Sequence, residues 1–406
     1  MTEVFSGSFT QQEPIPEDAI AAAVAVMRSG RLHRYNTAPG EMAEAAALEV
    51  DFAAFTGARY CLAVASGGAA MRIALRAAGV GQGDPVLTNA FTLAPVPGAI
   101  AAVGGVPVLV EVTEDLVIDL ADLAARAQAS GAHVLLLSHM RGHVCDMDAL
   151  MALCARLGLR VIEDCAHTMG AAWAGVPSGR HGIAGCYSTQ TYKHMNSGEG
   201  GLVVSDDADL MARMVLLSGS YMLYDRHPAA PPPEVFAGLR HQVPNISARM
   251  DNLRAAVLRP QIAALPGRVD RWARLYGAVE TGLRGVPGLR LIPRPQAERF
   301  VGSSFQFLLP GRDGAWIDRF LGRCLARGVE LKWFGRAEPA GFTSRHDHWR
   351  YAPPQALPRT DAVLAGLIDM RLPLTFTEAD CACIARIIAD EAGRDGVAEA
   401  AGRRAD

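Results

Sequence analysis

Residues 134–167, VLLLSHMRGHVCDMDALMALCARLGLRVIEDCAH, decide the fold because they place one helical pattern between two short apolar runs. Residues 134–137 and 160–163 have the length and composition of buried strands, and residues 147–157 have the apolar spacing of a helix. A strand, a helix and a second strand in this order are typical of an α/β unit whose strands lie parallel in a buried sheet.

The same alternation extends along the chain on both sides of this unit. It predicts further strands at 61–65, 85–88, 106–110, 184–188 and 201–205, and helices at 17–27, 41–55, 69–78, 95–103, 120–128 and 208–217. We therefore expect the α/β fold class, with a mainly parallel, seven-stranded central sheet flanked by helices.

Beyond residue 220 the pattern changes. Residues 221–241 contain Tyr, Asp, His and a proline-rich run, and this composition predicts a long loop. Two successive helices at 252–264 and 269–283, a second strand and helix set at 304–309, 316–327 and 330–334, and a last helix at 378–391 are expected to follow. We infer a large domain over 1–265, which includes the 221–243 loop, a smaller C-terminal α/β domain over 266–395, and a flexible tail over 396–406.

Composition excludes several classes of protein. The 406 residues carry a net charge of −3, so no strong field draws the chain to nucleic acid or to a membrane surface. Half of the residues are hydrophobic, which excludes large-scale disorder. The eight cysteines indicate neither a disulfide framework nor a zinc site, and no secretory signal or membrane span is recognisable. We expect a cytoplasmic protein without a metal ion.

Lysine is almost absent from this chain. Of its 39 basic residues, 37 are Arg, and only Lys193 and Lys332 are Lys. Lysine, unlike arginine, can lose its proton and form an imine with an aldehyde. Lys193 lies in STQTYKHMNSGEGG, residues 188–201, between two predicted strands. This context favours a Schiff-base lysine over a solvated surface residue. For Lys332, beside an aromatic pair, substrate contact and local packing are equally compatible.

Two further motifs suggest a ligand. Asp164 ends a buried apolar strand, at the edge of an open α/β sheet where ligands gather. Its carboxylate could hold a pyridinium proton, bind a metal or cap a helix. Gly67 and Gly68 join a predicted strand to a helix, an arrangement that presents backbone N–H groups to a phosphate, although a turn without a ligand would look the same.

An imine-forming lysine, a carboxylate for a ring nitrogen and a glycine turn are together what pyridoxal phosphate (PLP) requires. With these motifs the chain resembles the DegT/DnrJ/EryC1/StrS family of fold type I aminotransferases, from Ser29-Gly30 to Leu372-Pro373. The family's Ser, Lys and Gly-Glu-Gly-Gly pattern is met by Ser188, Lys193 and residues 198–201. Its Glu-Asp-x-Ala-Gln/His pattern is met by residues 163–167, and its His, Gly and Asp-Met pattern by His139, Gly142 and Asp146-Met147.

The resemblance implies a role for each matching residue. Lys193 would form the Schiff base, Asp164 would pair with the pyridine nitrogen, and His167 would lie near the phenolic oxygen. Ser188 with the amides of Gly67 and Gly68 would hold the phosphate.

The chain departs from the family at three positions. Gly68 stands where the family usually has Thr, and Leu93 stands where an aromatic ring commonly stacks on the cofactor, with Phe91 two residues away as a substitute. The family's Asn-x-Arg, in which Asn reaches a partner subunit's phosphate, corresponds to residues 245–249, so Asn245 or Ser247 would fill that role.

The function that the resemblance implies is amine transfer from L-glutamate or L-glutamine to a ketone of a sugar or cyclitol, in secondary-metabolite or glycan biosynthesis. The freed Lys193 amine would act as the general acid and base. Residues expected to contact substrate are His33, Arg34, Tyr35, Arg249 and Lys332. The active enzyme is expected to be a homodimer with shared sites. Two alternatives stay open, a PLP-dependent dehydratase or lyase and a non-catalytic PLP-binding regulatory protein.

Overall fold

The computed structural model describes residues 3–402, with side chains through residue 394. The helices are α1 Glu17–Ser29, α2 Glu44–Thr56, α3 Gly67–Ala77, α4 Pro95–Ala102, α5 Leu120–Ser130, α6 Met147–Leu157, α7 Ala208–Ser218, α8 Pro233–Phe236, α9 Asn252–Leu283, α10 Gly314–Ala326, α11 Pro358–Ala365 and α12 Glu378–Gly402. The strands are β1 Tyr60–Val64, β2 Pro85–Asn89, β3 Val106–Val110, β4 Val134–Ser138, β5 Arg160–Asp164, β6 Ala172–Trp173, β7 Val176–Pro177, β8 Ala184–Ser188, β9 Gly201–Ser205, β10 Arg290–Leu291, β11 Glu298–Arg299, β12 Ser304–Leu308, β13 Lys332–Trp333 and β14 Leu367–Arg371.

The central sheet has seven strands in the order β1-β9-β8-β5-β4-β2-β3. Its four pairs from β8 to β3 are parallel, and β9 runs antiparallel to both of its neighbours. The prediction of a mainly parallel seven-stranded sheet flanked by helices is therefore confirmed. The register of β4 and β5 pairs Ser138 with Asp164, so both side chains reach the same edge of the sheet.

Local sequence accounts for the sharp starts of several helices. Asp119, Asp146 and Asp207 each precede a helix and accept a hydrogen bond from the backbone N–H three residues later, which satisfies one otherwise free donor. Side chains of β4, β8 and β9 are buried throughout, as expected for strands covered on both faces. Hydrophobic burial on both faces thus holds the central sheet rigid beneath its carboxyl edge.

A second, antiparallel sheet has the order β10-β12-β14-β13. One face is apolar and joins the core that includes α9, α10 and α12, through Phe305, Phe307, Trp333, Ile368 and Met370. The other face carries the alternate residues Ser304, Gln306, Lys332, Asp369 and Arg371. The polar face borders the cavity described below.

The expectation of two helices at 252–264 and 269–283 is wrong. A single helix, α9, runs from Asn252 to Leu283 through Pro260 and Pro266. Each proline removes one backbone hydrogen bond, at a cost of about 3 kcal/mol in a helix interior. The apolar stripe continues across both prolines through the buried Leu258, Leu265 and Val269, and this packing outweighs the loss. The proposed domain boundary at 265/266 thus falls inside a helix, and the two-domain division remains an interpretation.

The 221–243 loop is more regular than expected. It contains a 3-10 turn at Tyr224–Arg226 and the short helix α8, whose Phe236 is fully buried and stacks on Tyr224. The last helix continues to Gly402, and residues 403–406 of the expected flexible tail lie outside the described residues. Across residues 3–402, no helix combines the length and the apolar character needed to span a membrane.

Candidate active site

A cavity of about 440 Å³ lies between the carboxyl edge of the central sheet and the polar face of the small sheet. Its walls include Ser138 and Asp164 from neighbouring parallel strands, and Ser304 and Arg371 from the small sheet. Seven residues predicted from the sequence line it together: Gly67, Gly68, Leu93, Asp164, His167, Ser188 and Lys193. The structure therefore unites residues that are up to 126 positions apart in the chain.

Lys193 enters this cavity from the loop between β8 and β9. Burial and the positive charges of Arg141 and Arg371 lower the pKa of its amine from 10.5 to about 7, although Asp164 opposes the shift. A lysine in this environment is largely neutral at slightly alkaline pH, and only the neutral amine is nucleophilic. The position therefore favours the neutral form of the Lys193 amine.

His167 contacts the Lys193 amine directly. Its Nε2 lies 2.8 Å from Lys193 Nζ, and its Nδ1 accepts the Arg141 N–H at 3.4 Å. That backbone contact leaves the ring proton on Nε2, which can donate to a neutral lysine amine. Burial, followed by the charge of Lys193, holds the pKa of His167 well below its ordinary value, so the ring is neutral.

Asp164 lies on the cavity wall in a nearly dry setting. Burial raises the pKa of its carboxyl, while the Ala166 N–H at 3.1 Å and the Ser138 hydroxyl at 3.0 Å favour the charged form. Ser138 in turn accepts a hydrogen bond from Thr92 Oγ1 at 2.8 Å. A buried carboxylate held in one orientation is suited to a cationic ring nitrogen. Among the residues that sequence reasoning missed, Ser138 could have been found from its place at the end of the strand next to Asp164.

The glycine turn at the start of α3 forms a cradle for an anion. Ser66 caps the helix by accepting the Ala69 N–H at 3.0 Å, whereas the N–H groups of Gly67 and Gly68 have no acceptor among residues 3–402. A Cβ on Gly67 would lie only 2.8 Å from the Ser188 Cβ. Free amides at a helix N-terminus, beside the Ser188 hydroxyl and at a Gly67 position that leaves no room for a side chain, suit a phosphate group. The donor set therefore fits PLP at both ends.

Glu163, the neighbour of Asp164, has a structural role instead. Its two oxygens accept the backbone N–H groups of Gly179, His181 and Gly182 at 2.8 Å each, and His139 Nε2 lies 3.0 Å away. These contacts hold the pKa of Glu163 below its ordinary value despite full burial. Glu163, His139 and Cys165 lie close enough together to be considered as metal ligands. The Glu163 carboxylate, however, already accepts the three backbone hydrogen bonds.

The structure places the two candidates for covering the cofactor ring, Leu93 and Phe91, in different surroundings. Leu93 lines the cavity, whereas Phe91 is buried behind it and packs edge-on against Phe334 at 5.1 Å between ring centres. In this arrangement Leu93, and not Phe91, borders the space for a ring, and the residue that covers the cofactor stays a prediction. Phe91 is held away because its ring belongs to the apolar cluster with Phe334 and Met140.

The 33–35 segment does not line the cavity of its own chain. Arg34 is buried and forms two hydrogen bonds of 2.8 and 2.9 Å with Glu49, and its Nη2 also lies 3.0 Å from His227. The Tyr35 hydroxyl is 2.7 Å from the other nitrogen of His227. The polar atoms of Arg34 and Tyr35 already have partners in the core, and substrate contact by these two residues stays a prediction. His33 packs edge-on against Tyr35 outside the cavity.

Residues 245–249 also lie away from the cavity of their own chain. Asn245 and Ser247 are exposed, and Asn245 Oδ1 accepts the Ser247 N–H at 2.9 Å. Arg249 donates to the Gly219 carbonyl at 2.9 Å and its guanidinium lies over the Tyr221 ring. Contact with a cofactor or substrate by these side chains stays a prediction that needs a second copy of the chain.

Two arginines that the sequence analysis did not select line the cavity, Arg141 and Arg371. Arg141 has a left-handed backbone with φ 56° and lies 2.7 Å from Asp369. The alternation of polar and apolar residues in β12 and β14 could have revealed the polar face that carries Arg371. Lys332 lies beside the cavity, with its Nζ 5.5 Å from the centre of the Phe342 ring, which lines it.

Comparisons with known proteins agree with this geometry. The model of the DegT/DnrJ/EryC1/StrS aminotransferase family matches residues 14–388. An L-glutamine:scyllo-inosose aminotransferase of Streptomyces griseus is 35% identical over 225 residues, which cover 55% of this chain and 52% of that protein. The match thus spans about half the length of that relative.

A second relative and one solved structure extend the likeness. The dTDP-3-amino-3,4,6-trideoxy-alpha-D-glucose transaminase of Streptomyces venezuelae is 32% identical over 282 residues, covering 69% of each chain. The structure of DesV from S. venezuelae, solved in complex with a ketimine intermediate, is 26% identical, with a TM-score of 0.77 over 92% of this chain and 94% of that one. Because the family model spans almost the whole chain and the cavity unites the matching residues, this chain belongs to the DegT/DnrJ/EryC1/StrS aminotransferase family.

Proposed function

We propose that this chain is a PLP-dependent aminotransferase that moves an amino group from L-glutamate or L-glutamine to a ketone of a sugar or cyclitol, in secondary-metabolite or glycan biosynthesis. The observation that carries the proposal is the Lys193 amine, with a pKa of about 7, in the same cavity as the buried carboxylate of Asp164 and the cradle of Gly67, Gly68 and Ser188. The name of the S. griseus relative supports L-glutamine as a donor, and the names of both relatives support a cyclitol or sugar acceptor.

The residues divide the binding of PLP between them. Lys193 would hold the cofactor through Nζ, Asp164 would hold its ring nitrogen, and Gly67, Gly68 and Ser188 would hold its phosphate. When bound, the cofactor supplies an aldehyde that reacts with amines and a ring that takes up the electron pair released from the substrate's α carbon.

Asp164 and Lys193 perform the proton chemistry of the proposed reaction. Asp164, which Ser138 orients, would keep the ring nitrogen of the bound cofactor protonated, because a charged carboxylate in a dry cavity strongly favours a cationic partner. Lys193, released by the donor amine, is a base of pKa about 7 that can take a proton at Nζ from the donor's α carbon and return it. His167 keeps that amine oriented through the 2.8 Å contact.

A homodimer with shared sites is part of the proposal. Asn245 and Ser247 are exposed, and apolar side chains near them are exposed as well: Leu32, Tyr221, Met222 and Ile246. These segments adjoin one another, since the Asn252 N–H donates to the Leu32 carbonyl and Arg249 lies over Tyr221. An apolar patch of this kind is typical of a protein interface. Burial of the patch in a dimer would bring Asn245 or Ser247 toward a partner's cavity. We place the dimer in the cytoplasm, where reduced cysteines such as the eight free ones of this chain persist.

The proposal is tested by following the cofactor's absorbance in the purified holoenzyme. L-glutamate or L-glutamine should convert the aldehyde form to the amine form, and scyllo-inosose or a keto sugar should reverse the change. Borohydride reduction should attach the pyridoxyl group to Lys193 and leave Lys332 unmodified. Loss of water from the substrate without transfer of nitrogen would indicate a dehydratase. Bound cofactor that responds to no amino acid would indicate a regulatory protein.

A further inference from the structure

Two arginines that line the cavity, Arg141 and Arg371, together with Lys332 beside it form what we call the cationic wall. Arg371 projects from β14 on the same face as Asp369, and the register pairs Asp369 with Lys332 on β13. Arg141 reaches Asp369 from the end of β4, with 2.7 Å between Nη2 and Oδ2. The small sheet and the central sheet therefore bring three cations around one carboxylate.

The cationic wall has an excess of positive charge. Asp369 is its one acidic member, and it also accepts a hydrogen bond from Gln306 at 2.7 Å. Among residues 3–394, no carboxylate lies within ion-pair distance of Arg371 or Lys332. Three cations and one carboxylate leave two positive charges without a partner. Glu199 also lines the cavity, but it is exposed, so water screens its charge.

Aromatic rings hold Arg371 in position, whereas Arg141 is held by Asp369. The Arg371 guanidinium lies 3.8 Å from the centre of the Tyr192 ring and 5.1 Å from that of Phe342. Stacking of this kind orients a guanidinium and leaves its N–H edges free for a bidentate partner. In Arg141, which is 6% exposed, Nη2 forms the ion pair with Asp369, whereas Nε has no hydrogen-bond partner within the described part of the chain. A donor that is unpaired and buried at a cavity wall indicates a ligand.

The wall is close enough to Lys193 to act on a substrate there. Arg141 and Arg371 both line the cavity, and their charges contribute to the low pKa of the Lys193 amine. An amino acid that displaces Lys193 must bring its α-carboxylate into the same space. Among the described residues, Lys193, Arg141 and Arg371 are the only Lys or Arg that line the cavity. The two arginines are therefore the groups that could neutralise that carboxylate.

We propose that the cationic wall binds both carboxylates of a dicarboxylic amino donor, so that this chain prefers L-glutamate over L-glutamine. The inference rests on the proposed aminotransferase function and names its donor. Two carboxylates match the two unpaired positive charges, whereas the side-chain amide of glutamine leaves one charge unpaired in a partly dry cavity. An unpaired charge of that kind is disfavoured because the protein removes water from it without supplying a counter-charge. The relative from S. griseus carries L-glutamine in its name, so the two proteins would differ in donor.

Binding of unreactive acids to the holoenzyme tests the charge argument without any turnover. Glutarate has the two carboxylates of glutamate and no amino group, and its monoamide, glutaramate, has the charge pattern of glutamine. Calorimetry should give a Kd for glutarate at least about tenfold below that for glutaramate, which corresponds to about 1.4 kcal/mol. Arg371→Gln should bring the two values to within about threefold of each other. Arg312→Gln is the matched control, since Arg312 also stacks on an aromatic ring, Trp316, but lies outside this cavity.

Half-reaction rates then separate this inference from the proposed function. Wild-type kcat/KM for amine transfer to the cofactor should be at least about tenfold higher with L-glutamate than with L-glutamine, and Arg371→Gln should lose that preference. Equal or better use of L-glutamine, or a glutarate Kd unchanged in Arg371→Gln, would overturn the inference and leave the aminotransferase intact. Glutarate binding that depends on Arg371, combined with no transfer from any amino acid, would overturn the proposed function and retain a carboxylate site.

Discussion

At the scale of single residues, Lys193 is set apart by its surroundings. The folded chain gives its amine a pKa of about 7 instead of 10.5, so between these values the folded protein holds a neutral lysine where an exposed lysine would be charged. Because only the neutral amine attacks an aldehyde, the rate at which apoenzyme captures PLP should rise with pH and level off above about pH 7 to 8. Stopped-flow absorbance measures this rate. The reference amine is Nα-acetyl-lysine, whose free side-chain amine should react with PLP at a rate that continues to rise toward pH 10.

The same measurement examines the cause of the shift. Arg371→Gln removes a positive charge that disfavours the ammonium form, so the midpoint of the pH profile should move to higher pH. Arg312→Gln should leave it in place. A profile that keeps its midpoint in Arg371→Gln would assign the low pKa of Lys193 to burial and Arg141 alone.

Asp164 should be needed for turnover more than for binding. Asp164→Asn keeps the shape of the side chain but cannot balance a positive ring nitrogen, so we expect cofactor to bind and the half-reaction to slow by about 10²–10³-fold. Ser138→Ala removes one hydrogen bond to the carboxylate, worth about 1.5–3 kcal/mol for a charged acceptor, and should slow the reaction less. Single-turnover absorbance traces distinguish the two variants. Wild-type rates in Asp164→Asn would show that the carboxylate has another role.

At the scale of elements, the two glycines at the start of α3 differ in the space available for a side chain. A methyl group on Gly67 would lie 2.8 Å from the Ser188 Cβ, whereas the nearest atom to a methyl group on Gly68 is the Ser66 hydroxyl at 3.8 Å. Gly67→Ala should therefore weaken PLP binding at least about tenfold, which corresponds to 1.4 kcal/mol. Gly68→Thr should bind PLP at least as tightly as wild type, because the added hydroxyl can donate to the phosphate. Equilibrium titration of apoenzyme measures both Kd values, with thermal unfolding as the check on folding.

The elements themselves were predictable to different degrees. The bounds of α6, β3, β8 and β9 agree with the predicted ranges because short runs between clear breakers leave few alternatives. The continuity of α9 was not predictable, since Pro260 and Pro266 are strong local signals for an end and only tertiary packing overrides them. Short strands such as β6 and β11 escaped notice because two residues carry no detectable period.

At the scale of the whole molecule, the proposed shared sites can be tested by mixing two inactive proteins. Lys193→Ala lacks the reactive amine, and an Asn245→Ala/Ser247→Ala double variant lacks the side chains proposed to cross to the partner. Hybrid dimers would contain one site with neither defect, so the mixture should recover up to about a quarter of the wild-type activity if subunits exchange at random and each site acts alone. Sedimentation and tagged-subunit capture establish that exchange has occurred. A fully active monomer, or exchanged subunits without recovery, would contradict shared sites.

Local sequence sufficed for the α/β fold class and for the selection of Lys193 as the candidate reactive lysine, because periodicity, glycine turns and the rarity of lysine are properties of neighbouring residues and of composition. It could not show that Ser138 donates a hydrogen bond to Asp164, that Arg34 forms an ion pair with Glu49, or that Arg141 and Arg371 line the same cavity. These relations join residues from 15 to 230 positions apart. Strand register and the packing of the small sheet onto the large one determine them, and neither leaves a periodic signal in a single sequence.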